Sequence, residues 1–338
     1  TITYMMLGYD PNEEAAKIND LTRGFVSARQ SLLSSSIKRP GLLERRRMVS
    51  SSETITTSLT PSEDGVNASF STSMAQMHAA RDQADGIADT YHSPFNIWID
   101  GSFLLHNRED NGSKWGSFAM LNLGADYLLN EKALVGLSLH YDRMRDPTED
   151  DAELIGNGWL AGPYASFEIG NGVIFDASIL YGGSINDIET AVWEGDFTTR
   201  RWMLEASVSG EWQLDNLTTL APKLRTLYFN EMMDDYTVRN ELGDELTIDG
   251  FDSEQFRVSI GAEISRSFTL DNGVVVKPKL ETTAGLSGLD GSGAFGSMRA
   301  GLEFETSTLW LIDAGLMYNF DSNGQHSLGA KVKADRRF

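Results

Sequence analysis

Met120-Leu121-Asn122-Leu123-Gly124-Ala125-Asp126-Tyr127-Leu128-Leu129-Asn130-Glu131-Lys132-Ala133-Leu134-Val135-Gly136-Leu137-Ser138-Leu139-His140-Tyr141-Asp142 is the stretch that decides the fold. Leu121, Leu123, Ala125, Tyr127 and Leu129 alternate with Asn122, Gly124 and Asp126. After the link Leu129–Lys132, Val135, Leu137, Leu139 and Tyr141 alternate with Gly136, Ser138, His140 and Asp142. Successive side chains of a strand point to opposite faces. The stretch therefore reads as a hairpin whose strands each carry one apolar and one polar face.

Working outward, the same period runs from Phe95 to the C-terminal residues. It returns in Phe95–Leu105, Phe175–Tyr181, Trp202–Trp212, Phe256–Ile264, Val274–Leu280, Met298–Phe304 and Leu328–Ala334. The alternation is imperfect, since Trp98, Leu104 and Leu128 fall on the otherwise polar face. With weaker segments at 157–168, 218–229 and 308–320, the reading gives about twelve strands of roughly 9–13 residues. Globular strands average about 5–6 residues, whereas a tilted bilayer-crossing strand needs about 9–11. Short links at 129–132, 170–172, 215–217, 271–273 and 305–308 alternate with longer polar ones at 107–115, 143–156, 184–199, 230–254 and 286–296. Short turns on one rim and long loops on the other describe a transmembrane antiparallel up-and-down barrel. The hairpin at 321–325 alone departs from that rule.

Composition agrees. The 338 residues hold 28 Lys and Arg against 49 Asp and Glu, a net charge of −21. A backbone binder needs cations to displace phosphate counterions, so no nucleic-acid partner is expected. The absence of cysteine excludes disulfides, thiolate metal sites and a Cys nucleophile. No apolar run reaches the ~20 residues of a membrane helix. A soluble sandwich would bury the charges of the polar face at several kcal/mol each; a wet lumen does not.

Ahead of the barrel, Ile18, Leu21, Phe25, Ala28 and Leu32 predict a helix over 16–36, stopped before Pro40. Phe70, Met74, Met77 and Ala80 predict a second over 69–88. About 20 helical residues rise ~30 Å, enough to thread a pore. The second immediately precedes the first strand and is expected to be the pore helix. The domains then read as 1–67, passenger end, helix and Ser/Thr-rich linker; 68–92, pore helix; 93–338, barrel. Thr1–Tyr9 looks like a strand cut from a longer protein, and Ser50–Glu63 like a linker.

Phe25–Leu33 followed by Pro40–Arg47, Phe70–Met74 leading to Phe95–Gly101, and Gly124–Leu129 with Gly162–Ser166 resemble the pre-barrel region and early strands of bacterial autotransporter translocator domains. Phe338 matches the terminal aromatic by which the barrel assembly machinery recognises such chains, although Arg336 stands where an apolar residue is usual. The resemblance implies an outer-membrane barrel, plugged by a helix, that exports its own N-terminal passenger and anchors it at the cell surface. Its expected partners are outer-membrane lipids and lipopolysaccharide, the assembly machinery and that passenger. Some relatives cut the helix at an Asn-Asn pair; Asn19 and Asn67 lack that context, so the passenger is expected to stay attached.

Catalytic chemistry finds little support. Gly291–Gly296 fits G-x-G-x-x-G but precedes period-two sequence rather than a helix, so a surface loop is expected. His106 and His140 face inward near Asp100 and Asp142 and read as lumen polar groups. Acidic runs at Asp146–Glu153 and Asp244–Glu254 lack EF-hand spacing. No catalytic residue, metal or cofactor is expected. The expected pore lining is Lys223, Arg225, Arg257, Lys277, Lys279, Arg299, Lys331 and Lys333, with Glu205, Glu211, Glu263, Glu281 and Glu303. These charges either solvate the lumen in cross-strand pairs or bind the pore helix. An outer-membrane enzyme with a site at the loop rim and a porin-like channel are the alternative readings.

Overall fold

The computed structural model describes residues 10–49, 54–62, 65–84, 93–107, 114–148, 151–291, 293–305, 310–321 and 326–336. Three helices, α1 (Pro11–Ser36), α2 (Leu42–Val49) and α3 (Met74–Ala84), accompany one antiparallel sheet. Its strands are β1 (Thr56–Ser62), β2 (Gly65–Ser73), β3 (Phe95–Asn107), β4 (Trp115–Asn130), β5 (Ala133–Pro147), β6 (Glu153–Gly170), β7 (Val173–Glu189), β8 (Glu194–Gly210) and β9 (Trp212–Gln213). They continue with β10 (Thr218–Met233), β11 (Tyr236–Arg239), β12 (Glu245–Ile248), β13 (Phe251–Arg266), β14 (Phe268–Thr269), β15 (Val275–Leu289), β16 (Gly293–Glu305), β17 (Trp310–Asp321) and β18 (His326–Arg336).

The twelve expected strands are the long ones from β3 to β18, each antiparallel to the one before. A further hairpin, β1–β2, pairs with β3 on one side and, through Ser62↔Gly329, with β18 on the other. The succession of pairings thus returns to its start. The segment expected to be a Ser/Thr-rich linker is part of this wall. Thr57, Leu59 and Pro61 oppose Phe70, Ala68 and Val66, while Ser58 and Thr60 oppose Ser69 and Asn67. Leu59, Ala68 and Phe70 alternate with Ser58, Ser69 and Asn67, and Ser58 Oγ lies 2.8 Å from Ser69 Oγ across the pair, so the period-two rule holds there too.

The expected pore helix at 68–92 needs correction. Its first part is strand β2, and α3 begins only at Met74, with Ala75 N donating to Asn96 Oδ1 (3.0 Å) at the base of β3. The helix among the inward-facing side chains is α1, longer than the expected 16–36 because Asp10 caps it, accepting from Asn12 N at 2.9 Å, with Pro11 at its first position. Its 26 residues rise about 39 Å.

Two expected loops, 143–156 and 184–199, are mostly strand, since β5 runs to Pro147 and β7 to Glu189. Likewise 230–254 holds the β11–β12 hairpin, and β16 takes in Gly293–Gly296 of the glycine motif. The strand period continues past the lipid-crossing length because its inward residues there pack on α1. Ile188, Phe197, Val238, Ile248 and Phe251 form one buried cluster with Ile18, Phe25, Val26 and Leu33. Each such side chain contributes ~1.5–3 kcal/mol on burial. The expected Thr1–Tyr9 strand lies outside the described residues.

Trp98, which broke the outward pattern, is buried on the inner face. Its indole Nε1 donates to Tyr164 Oη at 2.8 Å, the rings meeting edge to face at 6.3 Å. The two rings lie over Gly124 and Gly136, where a Cβ would stand 2.4 Å from Trp98 Cζ2 and from Tyr164 Cζ respectively. A side chain at Gly124 must therefore displace the indole. Gly124→Val is expected to cost ~1–3 kcal/mol, whereas Gly288→Ala, whose nearest contact is 4.0 Å away, should be near neutral. Thermal unfolding of the detergent-solubilised protein checks both.

Candidate functional site

The site is the lumen and the chain that threads it. Asn19 Nδ2 of α1 donates to Asp249 O (2.8 Å), Thr22 Oγ1 lies 2.9 Å from Tyr236 Oη, and the Arg23 guanidinium stacks over Phe251 at 4.1 Å. These partners lie between the end of β10 and the first residue of β13, on the long-loop rim. Two turns down, Gln30 Nε2 donates to Ser253 O (3.1 Å); lower still, Arg225 Nη2 donates to Ser34 O (2.9 Å) and Arg257 Nη1 to Ser34 Oγ (3.1 Å). Asn122 of β4 donates to Ser36 O (3.2 Å) from the other side.

Below α1 the chain meets the opposite rim. Leu42 N donates to Ser166 Oγ (2.8 Å). Arg45 Nη2 donates to Ser93 O (2.8 Å), and its Nε stands 3.4 Å from Asp126 Oδ1. Arg46 reaches Glu131 O (2.8 Å) and Glu168 Oε2 (2.5 Å), while Arg47 pairs with Glu211. Glu131, Glu168 and Glu211 all lie beside short turns. The helix thus runs N-terminus at the long-loop rim, C-terminus at the short-turn rim.

Halfway along, four charges meet out of contact with solvent. Arg29 and Arg201 are 1% and 0% exposed, Asp142 and Glu231 each 1%. Arg29 Nε donates to Asp142 Oδ2 (2.5 Å) and its Nη1 to Asn186 Oδ1 (2.6 Å). Arg201 bridges the two acids, Nη1 to Asp142 Oδ1 (2.9 Å) and Nε to Glu231 Oε1 (2.8 Å). Thr199 Oγ1 donates to the same Glu231 oxygen at 2.6 Å. Two cations and two anions leave no net charge, which is what makes burial tolerable. Strand β6 makes the room: a Cβ at Gly156 would lie 2.2 Å from Arg29 Nη1, and one at Gly158 2.2 Å from Arg201 Nη1.

The expected pore-lining residues divide between helix and water. Arg225 and Arg257 hold Ser34, and Glu205 receives both Arg39 and Arg225. Lys223 and Glu263 line a cavity of about 880 Å³ beside α1. Lys279 pairs with Glu303 across β15 and β16, Arg299 Nη1 donates to Glu281 Oε2 (2.8 Å), and Lys277 sits in register with Glu303. Lys331 and Lys333 face Gly315 and Asp313 in the backbone register; their side chains, and Phe338, lie outside the described residues. His140 is buried, bonded to Asn122 Oδ1 (2.7 Å) and Ser138 Oγ (2.9 Å) as a lumen polar group; the His106 side chain is outside the described set. Among the described residues no group of three or more His, Cys, Asp or Glu is placed to hold a metal ion.

Sequence reasoning missed Arg29, Asp142, Arg201 and Glu231 as a unit. One signal was available: Arg29 interrupts the apolar series Phe25, Val26, Leu33, and a charge on a buried stripe requires a partner.

The family model described as Autotransporter beta-domain matches residues 100–332. Among solved structures, the translocator domain of the autotransporter NalP from Neisseria meningitidis is similar at 12% identity and a TM-score of 0.50, covering 94% of this chain and 98% of that one. The β domain of the Bordetella autotransporter BrkA gives 16% identity and a TM-score of 0.48, with 71% and 98% covered. CymD, a monoaromatic hydrocarbon channel, gives 11% and 0.51, with 90% and 94% covered. At these identities the structures share the fold alone. No curated protein sequence matches.

Asp142→Asn leaves two buried guanidiniums with one carboxylate. The helix should lose ~3–5 kcal/mol of docking stability, read as faster amide exchange over residues 18–36. Adding Arg29→Met removes the surplus cation and should restore most of that loss.

Proposed function

Because the chain belongs to the autotransporter β-domain family, matched over residues 100–332, we propose that it exports the passenger N-terminal to it, anchors that passenger at the cell surface, and then remains closed by its own helix. The family is a transport module of the bacterial outer membrane, and the domain is an outer-membrane translocator. Long strands with apolar outer faces suit that setting: Leu137, Ile179, Ile260 and Leu316 are all exposed.

The observation that carries the export reading is the direction of the thread. The chain enters from the short-turn rim at α2 and leaves at the long-loop rim, where Asn19 and Thr22 meet Asp249 and Tyr236. In bacterial barrels short turns face the periplasm and long loops the outside. Residues ahead of α1 are therefore delivered to the cell surface.

The closure reading rests on α1 being bonded to β4, β5, β7, β10 and β13 at once. Such a helix occupies lumen that would otherwise conduct. Asn19 is engaged with Asp249 O and with Arg23, so its amide is committed to hydrogen bonds. We assign Phe338 to recognition by the assembly machinery, and the outer faces to lipid and lipopolysaccharide.

Planar-bilayer recordings test closure. The full chain should be nearly closed, and a chain lacking residues 1–49 should open a steady pore; equal conductance would remove α1 from the role. An epitope placed ahead of Pro11 should stay with the barrel on denaturing gels, and its appearance as a separate band would refute retention of the passenger.

A further inference from the structure

The buried group around Asp142 has two parts of different origin. Asp142 on β5, Arg201 on β8 and Glu231 on β10 belong to the wall; two carboxylates and one guanidinium leave it a surplus negative charge. Arg29 arrives on α1 and balances that charge. The wall part is joined without the helix. Arg201 ties Asp142 to Glu231, and Thr199 Oγ1, bonded to Glu231, lies 2.7 Å from Ser184 Oγ. Asn186 Nδ2 on β7 donates to the same Ser184 Oγ at 2.9 Å, which leaves Asn186 Oδ1 for Arg29.

We infer that Asp142, Arg201, Glu231 and Asn186 form a receptor for one guanidinium group, and that its occupancy by Arg29 docks α1. The inference rests on the closure reading above and deepens it, by naming what the wall recognises. The receptor is organised by wall residues bonded to one another, so little order is lost when it fills. Its surplus negative charge lies where the docked helix seals it from solvent, and a buried charge without a partner is strongly destabilising. Gly156 and Gly158 of β6 leave the guanidinium its room, and Arg29 Cζ lies 5.7 Å from the centroid of the Phe25 ring.

The acceptors define the ligand. Asp142 Oδ2 and Asn186 Oδ1 take hydrogens from two different nitrogens of Arg29, Nε at 2.5 Å and Nη1 at 2.6 Å. A guanidinium is planar and offers its donors in fixed directions, whereas an ammonium is a compact point charge. The receptor therefore selects a guanidinium over other monovalent cations.

Chemical rescue in the full chain tests the receptor. Arg29→Ala leaves it empty, and amides of residues 18–36 should exchange about a hundredfold faster. Amides of β7 and β8 should stay protected, which reports an assembled wall. Guanidinium chloride at about 50 mM, far below denaturing concentrations, should then slow the exchange of α1 about tenfold. Methylammonium chloride or sodium chloride at the same concentration should not. Arg29→Ala with Asp142→Asn lacks both the surplus charge and an acceptor, and should ignore guanidinium. Arg29→Lys keeps the charge without the planar fork, and its α1 should exchange faster than that of the natural chain. Exchange unchanged in Arg29→Ala, no response of that variant to guanidinium, an equal response to methylammonium, or Arg29→Lys exchange equal to the natural chain would each overturn the receptor. Bilayer conductance separates the two readings: a natural chain that conducts freely, while guanidinium still governs exchange in Arg29→Ala, would overturn closure and leave the receptor standing.

Discussion

A guanidinium on a helix inside a barrel must be paired, and the rest of the lumen is arranged around that requirement. Arg29 projects from α1 between β5 and β7, and Asp142 meets it. One carboxylate cannot also balance Arg201, so Glu231 completes the set. The four groups come from α1, β5, β8 and β10, which fixes the helix in rotation and in height at once. Two strand glycines, Gly156 and Gly158, exist in the space the guanidiniums need. Breaking such a group by removal of one member is expensive because a charge is stranded in a dry site. That is a strong reason for α1 to stay at one register.

The wall was legible because its rule is simple. Period two over long segments, with charges confined to one face, leaves a membrane barrel as the inexpensive solution, and β3 to β18 stand where the alternation placed them. The hairpin β1–β2 obeys the same rule but was read as a linker, because Ser58, Ser69 and Ser71 provide its polar face with hydroxyls instead of charges. Loop-like composition hid a strand. The choice of pore helix failed for a different reason. Adjacency to the first strand favoured 69–88, but distance along the chain is a weak constraint once α2 and a hairpin can lie between helix and wall. The better signal was chemical, a lone arginine on the apolar stripe of α1.

Strand length taught a related lesson. Polar residues at 143–156 and 184–199 suggested loops, yet Asp146 and Asn186 are buried and their neighbours pair across β5, β6 and β7. Outside the lipid, a strand may carry polar groups on its outer face at no cost. Its inner face can meanwhile bury Ile188 and Phe197 against the helix. Hydropathy therefore marks where lipid ends, and not where the strand ends.

The two sides of the lumen follow one principle in opposite directions. Where α1 and the chain below it pack, the inner faces of β4 to β8 carry Met120, Met144, Leu160, Leu180 and Met203, and their charges are paired: Asp142 with Arg29 and Arg201, Asp126 with Arg45, and Glu205 with Arg39. Where α1 does not reach, water remains and charges are cheap: Lys279 with Glu303 and Arg299 with Glu281 stand partly exposed on β15 and β16.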